Sequence, residues 1–247
     1  MTFLDCVSVE NMRESDRKTI ERYVPSLTLM YRAATGVYRA ADWHGDIAIA
    51  AGSGNNGGDG YALAYILKTN GIDSRVVALS EKLTPDSAHF AAKAKAAGVP
   101  VVPHSAGVFE GSSIIVDCLL GTGFHGAVRE PYASAICEIN AAGAYVISVD
   151  INSGMNGDTG EAEIAVCSNL TVTIGFAKNG MLAAGADKLM KCLVVTDIGI
   201  VLDKEENKIA VDWREEYAAR GNIFLCPPYL DTRIIDTRDV EYAEEQI

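Results

Sequence analysis

Ala51-Gly52-Ser53-Gly54-Asn55-Asn56-Gly57-Gly58-Asp59-Gly60 follows the apolar run Ile47-Ala48-Ile49-Ala50 and precedes Tyr61-Ala62-Leu63-Ala64-Tyr65-Ile66-Leu67-Lys68. The first flank reads as a buried strand and the second as a helix, so the segment is a strand–loop–helix connection. Five of the nine residues 52–60 are glycine. Glycine permits torsions that other residues resist and lets a ligand lie directly on the main chain. Backbone N–H groups where the helix begins would face an anion, most naturally a phosphate. The two amides and the carboxylate go beyond what a turn requires.

Gly52-Ser53-Gly54-Asn55-Asn56-Gly57 also fits the G-x-G-x-x-G spacing of dinucleotide-binding loops. Glu81, after a strand expected over 74–79, is a loose candidate for the acidic residue that such loops place about 20 positions further on. A Walker-type phosphate loop is excluded, because no Lys-Ser or Lys-Thr closes the segment. The plainest alternative is a glycine-rich connector in which Asp59 caps the helix.

Working outward, helices are expected over 9–23 and around Met30, Ala33, Ala34, Val37, Tyr38 and Ala41, whose spacing makes a one-sided apolar stripe. The glycine-rich helix is expected over 59–70. Thr84-Pro85 opens another helix as cap and first turn, closed by Gly98, and a further one spans 131–142. Strands are expected over 46–51, 74–79, 99–103, 113–117, 144–150, 170–174 and 192–197. Apolar strands alternating with helices indicate a mostly parallel sheet covered on both faces. Ligands then bind beyond the carboxyl ends of the strands.

The 247 residues, 49% of them hydrophobic, suffice for one α/β domain with appendages. There is no run of 18 apolar residues, and the first ten residues lack the basic and apolar regions of a signal peptide. Six cysteines without a C-x-x-C pair read mostly as buried thiols in a reducing cytoplasm. The four histidines show no ligand spacing. A net charge of −12 argues against a nucleic-acid surface. Residues 203–247 carry 12 acidic and 6 basic side chains, a net −6, and read as a partly ordered acidic appendage to a domain of residues 1–202.

Two more polar clusters begin at expected strand ends. Asp117-Cys118-Leu119-Leu120-Gly121-Thr122-Gly123-Phe124-His125-Gly126-Ala127 pairs a carboxylate with a second glycine loop, and Asp150-Ile151-Asn152-Ser153-Gly154 ends the next strand. Each alone could be a turn. Together they put three polar loops on one edge of the sheet.

At these residues the chain resembles the NAD(P)H-hydrate epimerase family, of the YjeF N-terminal domain type. The matching segments are residues 54–60, Asp117-x-x-x-Gly121-Thr122-Gly123 and Asp150-Ile151-x-Ser153-Gly154. Leu29-Met30 and Lys178 followed by Gly180 match as well. The resemblance runs from about residue 8 to about residue 202, in the family's order. It implies a Rossmann-like three-layer αβα sandwich, frequent homodimers, a bound potassium ion and interconversion of the two C6 epimers of hydrated NADH or NADPH (NADHX and NADPHX). Carried over by residue, it implies that Asn55, Asn56, Gly57, Gly58, Asp59, Gly121, Thr122, Gly123, Phe124, His125, Gly126, Ala127 and Asp150 line the substrate site. Asn56, Asp117 and Ser153 would contact the potassium ion. The chemistry agrees, since a hard monovalent cation prefers amide, carboxylate and hydroxyl oxygens. Asp150 is the expected acid/base residue, because inverting a hemiaminal carbon moves a proton on or off its hydroxyl.

The chain departs from the family in two places. Asn152 stands where the family usually has Pro, which frees a torsion and could loosen Ser153. Lys178 lacks the usual neighbouring Pro and reads as a surface lysine. No segment resembles the ATP- or ADP-dependent hydrate dehydratase, so epimerisation alone is expected. A non-catalytic binding or scaffold module is one alternative reading. A conventional NAD(P)-dependent oxidoreductase is another, weakened because Asp59 would repel a pyrophosphate at the helix start.

Overall fold

The strands and helices follow from the apolar runs and their punctuation. In a computed structural model describing residues 3–217 and 220–243, β1 (Phe3–Val7), α1 (Val9–Arg22) and α2 (Ser26–Ala40) precede β2 (Ile47–Ala51) and α3 (Asn55–Thr69). Then come β3 (Arg75–Ala78), α4 (Pro85–Ala96), β4 (Val101–Pro103), β5 (Ile114–Cys118), α5 (Tyr132–Ala141) and β6 (Tyr145–Val149). The chain continues through β7 (Leu170–Ile174), β8 (Ala177–Lys178), β9 (Leu193–Asp197), β10 (Asn207–Ala210), β11 (Ile223–Leu225) and β12 (Leu230–Asp236). Ser8 caps α1 by accepting from the Asn11 N–H, and Thr84 caps α4 with Pro85 in the first turn.

Eight strands form one sheet in the order β12-β9-β7-β6-β5-β2-β3-β4, and every neighbouring pair is parallel. Alternate residues face opposite layers. Ile47, Ile49, Val116, Val149 and Val172 pack against α2, α3 and α4. Ala48, Ala50, Ile115 and Val146 face α5. Further along that second face a four-stranded sheet, β11-β10-β1-β8, packs Leu4, Cys6 and Ile209 against Leu193 and Val195. The three layers are those expected, but one outer layer is part helix and part sheet. Sequence periodicity missed the small sheet because its strands run only two to five residues.

Three expectations change. The α3 helix starts at Asn55, not Asp59, with Gly54 as its cap residue, so Asn55-Asn56-Gly57-Gly58 is its first turn and Asp59 caps nothing. Gly57 and Gly58 serve close packing there: a Cβ on Gly57 would lie 2.1 Å from the Gly52 carbonyl oxygen, and one on Gly58 2.7 Å from Met30 Cε. Of the six cysteines, all free thiols, only Cys6 and Cys118 are buried, whereas Cys137 and Cys167 are exposed. Within 203–247, the described residues are woven into both sheets. β10 pairs antiparallel with β1, and β12 pairs with β9 from Leu230↔Leu193 to Asp236↔Asp197. Residues 218–219 and 244–247 of that stretch lie outside the described residues. Among the described residues, no helix is long and apolar enough to cross a membrane.

Candidate functional site

The strand order reverses between β2 and β5. From β2 the chain moves outward to β3 and β4, and from β5 it moves the other way to β6, β7 and β9. The loops leaving β2 and β5 therefore diverge and open a crevice at the carboxyl edge. A cleft of about 580 Å³ lies there, between the start of α3, the loop after β5, and helices α1 and α2.

Asn55, Asn56, Asp59, Gly121, Thr122, Gly123, Phe124 and Asp150 line this cleft. His125 lines a neighbouring cavity instead. Gly57, Gly58, Gly126 and Ala127 are not on the cleft wall, the first pair because they are buried between α3 and its neighbours. Glu81 is exposed and off the cleft, so the dinucleotide-loop reading loses its acidic partner. The cleft also takes in Arg13, Asp16 and Asp86, which motif reasoning did not single out. Met12, Arg13 and Asp16 stand at i, i+1 and i+4 on α1, a spacing that could have marked one face of the helix.

Asp150 follows β6 with φ 68°, the one non-glycine residue in the left-handed region among the described residues. Asp tolerates this conformation better than most side chains, at a cost of about 1–3 kcal/mol. Its Oδ1 accepts from Lys178 Nζ at 2.5 Å, and Oδ2 accepts from the Thr122 N–H at 3.4 Å. Lys178 is fully buried, which corrects the surface reading. All three of its donors are used, the other two on Thr173 Oγ1 at 2.9 Å and the Ile174 carbonyl at 3.0 Å. A buried ammonium is tolerated only when paired and hydrogen-bonded in this way. The apolar stretch leading into Lys178 was the available signal that it sits in a strand.

Burial pushes the Asp59 carboxyl well up, with the negative charges of Asp150 and Asp16 adding and Lys178 opposing. Asp16 is raised as well, by burial and then by Asp150. Asp16, Asp59 and Asp150 thus share the cleft with Asp86, and the Lys178 ammonium lies buried against Asp150.

Behind the cleft, Asp117 is fully buried within β5. Its Oδ1 accepts from Ser153 Oγ at 2.5 Å and the Leu119 N–H at 3.2 Å; its Oδ2 accepts from Ser148 Oγ at 2.9 Å and the Ser153 N–H at 3.0 Å. Burial holds its pKa above the usual carboxylate value, and these four donors offset only part of that rise. Asn56 Nδ2 donates to the Leu120 carbonyl at 3.2 Å, while Asn56 Oδ1 is buried with no hydrogen-bond partner. Leu120 N–H in turn donates to Ser153 Oγ at 2.8 Å. One polar chain therefore joins the three loops.

Asn152 does not loosen Ser153. Fully buried, it donates through Nδ2 to the carbonyls of Val166 and Leu189 and to Ser168 Oγ, and its Oδ1 accepts from Thr171 Oγ1 at 2.7 Å. The side chain replaces the stiffness of a proline with hydrogen bonds.

A parallel sheet with its polar cleft at the point of strand reversal defines an α/β domain with a ligand cleft at the carboxyl edge of its strands. The chain matches the family model described as "YjeF-related protein N-terminus" over residues 26–180, and it belongs to that family. It is 36% identical over 204 residues to the NAD(P)H-hydrate epimerase of Limosilactobacillus reuteri, the match covering 78% of this chain and 95% of that protein. It is 35% identical over 196 residues to the bifunctional NAD(P)H-hydrate repair enzyme Nnr of Coxiella burnetii, covering 76% of this chain and 40% of that enzyme. The chain thus spans well under half of the bifunctional relative. The crystal structure of yeast ynu0 superposes with a TM-score of 0.68 at 22% identity, covering 80% of this chain and 90% of that one, a likeness of fold.

Proposed function

We propose that this chain is an NAD(P)H-hydrate epimerase, interconverting the R and S epimers of NADHX or NADPHX at C6. The observation that carries the reading is the Asp150–Lys178 pair, a carboxylate opening on the cleft with its geometry held by a buried ammonium. Inverting C6 requires a bond at that carbon to break and re-form, and both halves move a proton at the C6 oxygen. We assign that transfer to Asp150, with Lys178 fixing the carboxylate through Oδ1 so that Oδ2 remains toward the cleft. The start of α3 has no side-chain cap, so its first N–H groups are available to a substrate phosphate.

The resemblance also implies a potassium ion held by Asn56, Asp117 and Ser153. The donor set supports it: Asn56 Oδ1 is an orphaned buried acceptor, and Asp117 is a buried carboxylate whose four contacts are all neutral donors. Both Asp117 oxygens are already fully used, so Asn56 Oδ1 offers the free ligand atom and Asp117 supplies charge through Ser153. Bound there, a monovalent cation supplies the positive charge that offsets the buried carboxylate. The deciding experiment mixes the protein with purified R-NADHX and follows the S epimer by chromatography. No gain over the spontaneous rate overturns the reading.

A further inference from the structure

The cleft continues past the turn after β5 into a second cavity of about 460 Å³. Arg13, Thr122 and Phe124 line both chambers, so they form the shared wall. Arg13 is exposed, and its hydrogen bond among the described residues is Nη2 to the Thr122 carbonyl at 3.4 Å; it enters no ion pair among them. Arg17, one turn further along α1, is instead held by Glu14 and Glu21. In the main cleft every other charged lining residue is acidic: Asp16, Asp59, Asp86 and Asp150. Arg13 is therefore the one free cation facing the cleft among the described residues. Past it, the second chamber presents the Glu14–Arg17 pair, Arg17 being neutralised by Glu14 and Glu21, together with Glu10, without an ion pair among the described residues, and Asp158, whose Oδ1 accepts from the Val9 N–H at 2.8 Å.

A dinucleotide consists of two nucleoside halves joined by a pyrophosphate, and two chambers joined at a single arginine match that layout. We propose that the second cavity is the adenosine subsite, that Arg13 clamps the pyrophosphate at the junction, and that Glu10 and Asp158 take the ribose hydroxyls. The inference rests on the epimerase reading and sharpens it. Guanidinium binds phosphate oxygens in a fork. Carboxylates accept from a free ribose 2′-hydroxyl and repel a 2′-phosphate, as acidic residues do in dinucleotide domains that select NAD. Phe124 is half-buried and lines both chambers, and an aromatic ring is the kind of side chain on which a nucleobase stacks. The site therefore favours NADHX over NADPHX.

The test titrates the full chain, by calorimetry, with ADP and with 2′-phospho-ADP, and measures KM for both hydrates. ADP should bind and compete with NADHX. Arg13→Gln should weaken ADP roughly 10- to 100-fold, the range for a hydrogen bond to a charged group, and the catalytic loss should fall mainly on KM. The 2′-phosphorylated analogue should bind about tenfold or more weakly, and Glu10→Gln should narrow that gap. Unchanged ADP affinity in Arg13→Gln, or equal affinity for the two nucleotides, overturns the proposal. The two readings fail separately. Arg13-dependent ADP binding without turnover keeps the subsite and removes the epimerase; turnover with an Arg13-independent KM does the reverse.

Discussion

Asp150 combines a left-handed backbone, a lysine partner on Oδ1 and a second oxygen, Oδ2, held by a long bond from the Thr122 N–H at 3.4 Å. The near-isosteric Asp150→Asn keeps the shape and removes the exchangeable proton. Epimerisation of NADHX should fall by about 10²- to 10⁴-fold, and the melting temperature should fall as well, because the buried Lys178 loses its counter-charge; wild-type turnover in this variant would remove Asp150 from the chemistry. Asp59 makes a different prediction. Its carboxyl is raised in the folded protein by burial first and by Asp150 and Asp16 next. A raised folded pKa contributes stability fully below the unfolded value, and this is lost as pH rises through the folded value. Asp59→Asn should therefore melt higher than wild type at pH 8, with the advantage shrinking toward pH 4. Each kcal/mol corresponds to about 2–4 °C in a chain this size. Parallel melting curves across that range would mean Asp59 carries no excess charge penalty.

The loops after β2, β5 and β6 act as one element because Asn56, Leu120, Ser153 and Asp117 are hydrogen-bonded in series. A cation that binds only the folded state stabilises it by mass action. Thermal melts in potassium should thus exceed those in sodium at matched ionic strength, which cancels general screening. Equal melting temperatures over a wide concentration range would argue against the proposed ion. Asn152 anchors the same element from behind. Asn152→Ala removes the amide partner of the Val166 carbonyl and one partner each of Thr171 Oγ1, Ser168 Oγ and the Leu189 carbonyl, which keep their bonds to one another and to the Ser168 N–H, and should cost about 1–3 kcal/mol in denaturant unfolding, the usual penalty for a lost partner of buried polar groups. A loss below about 0.5 kcal/mol would show that Asn152 does not stand in for the proline.

For the whole molecule, the segment after Leu202 joins the two sheets and braces the cleft. β12 covers the β9 edge, and Val240 accepts from Arg32 Nε at 2.7 Å while Ile198 accepts from Arg32 Nη1 at 3.1 Å. Tyr242 packs on Tyr31 and Phe90, with ring centroids 5.1 Å from each. Arg32 is buried on α2, the helix that presents Leu29, Met30 and Ala33 to the cleft. Truncation after Leu202 exposes a hydrogen-bonding strand edge and removes the Val240 carbonyl and the Glu241 carboxylate, 3.1 Å from Arg32 Nη2, leaving Arg32 with Ile198. We expect strong destabilisation, measured by calorimetry, and aggregation seen by light scattering. A truncated chain that melts with the full one would show that β12 and the segment beyond it carry no stability.

The chain's own pattern determined the parallel sheet, the order of helices and strands, and the three polar loops. Apolar periodicity and glycine or proline punctuation are local signals, and the loops fall where the strands stop. Asp117, Asp150 and Ser153 were legible because motif spacing placed each at such a stop. Lys178 was not, because its burial depends on Asp150, 28 residues away in sequence, reaching its amine. Arg13 and Asp16 were missed because only the packing of α1 beside the reversal of strand order brings them to the cleft. The strands after residue 202 were hidden for the same reason. Alternating charges such as Asp231 and Arg233 mark an exposed edge strand, and its partner β9 is set by the tertiary pairing alone.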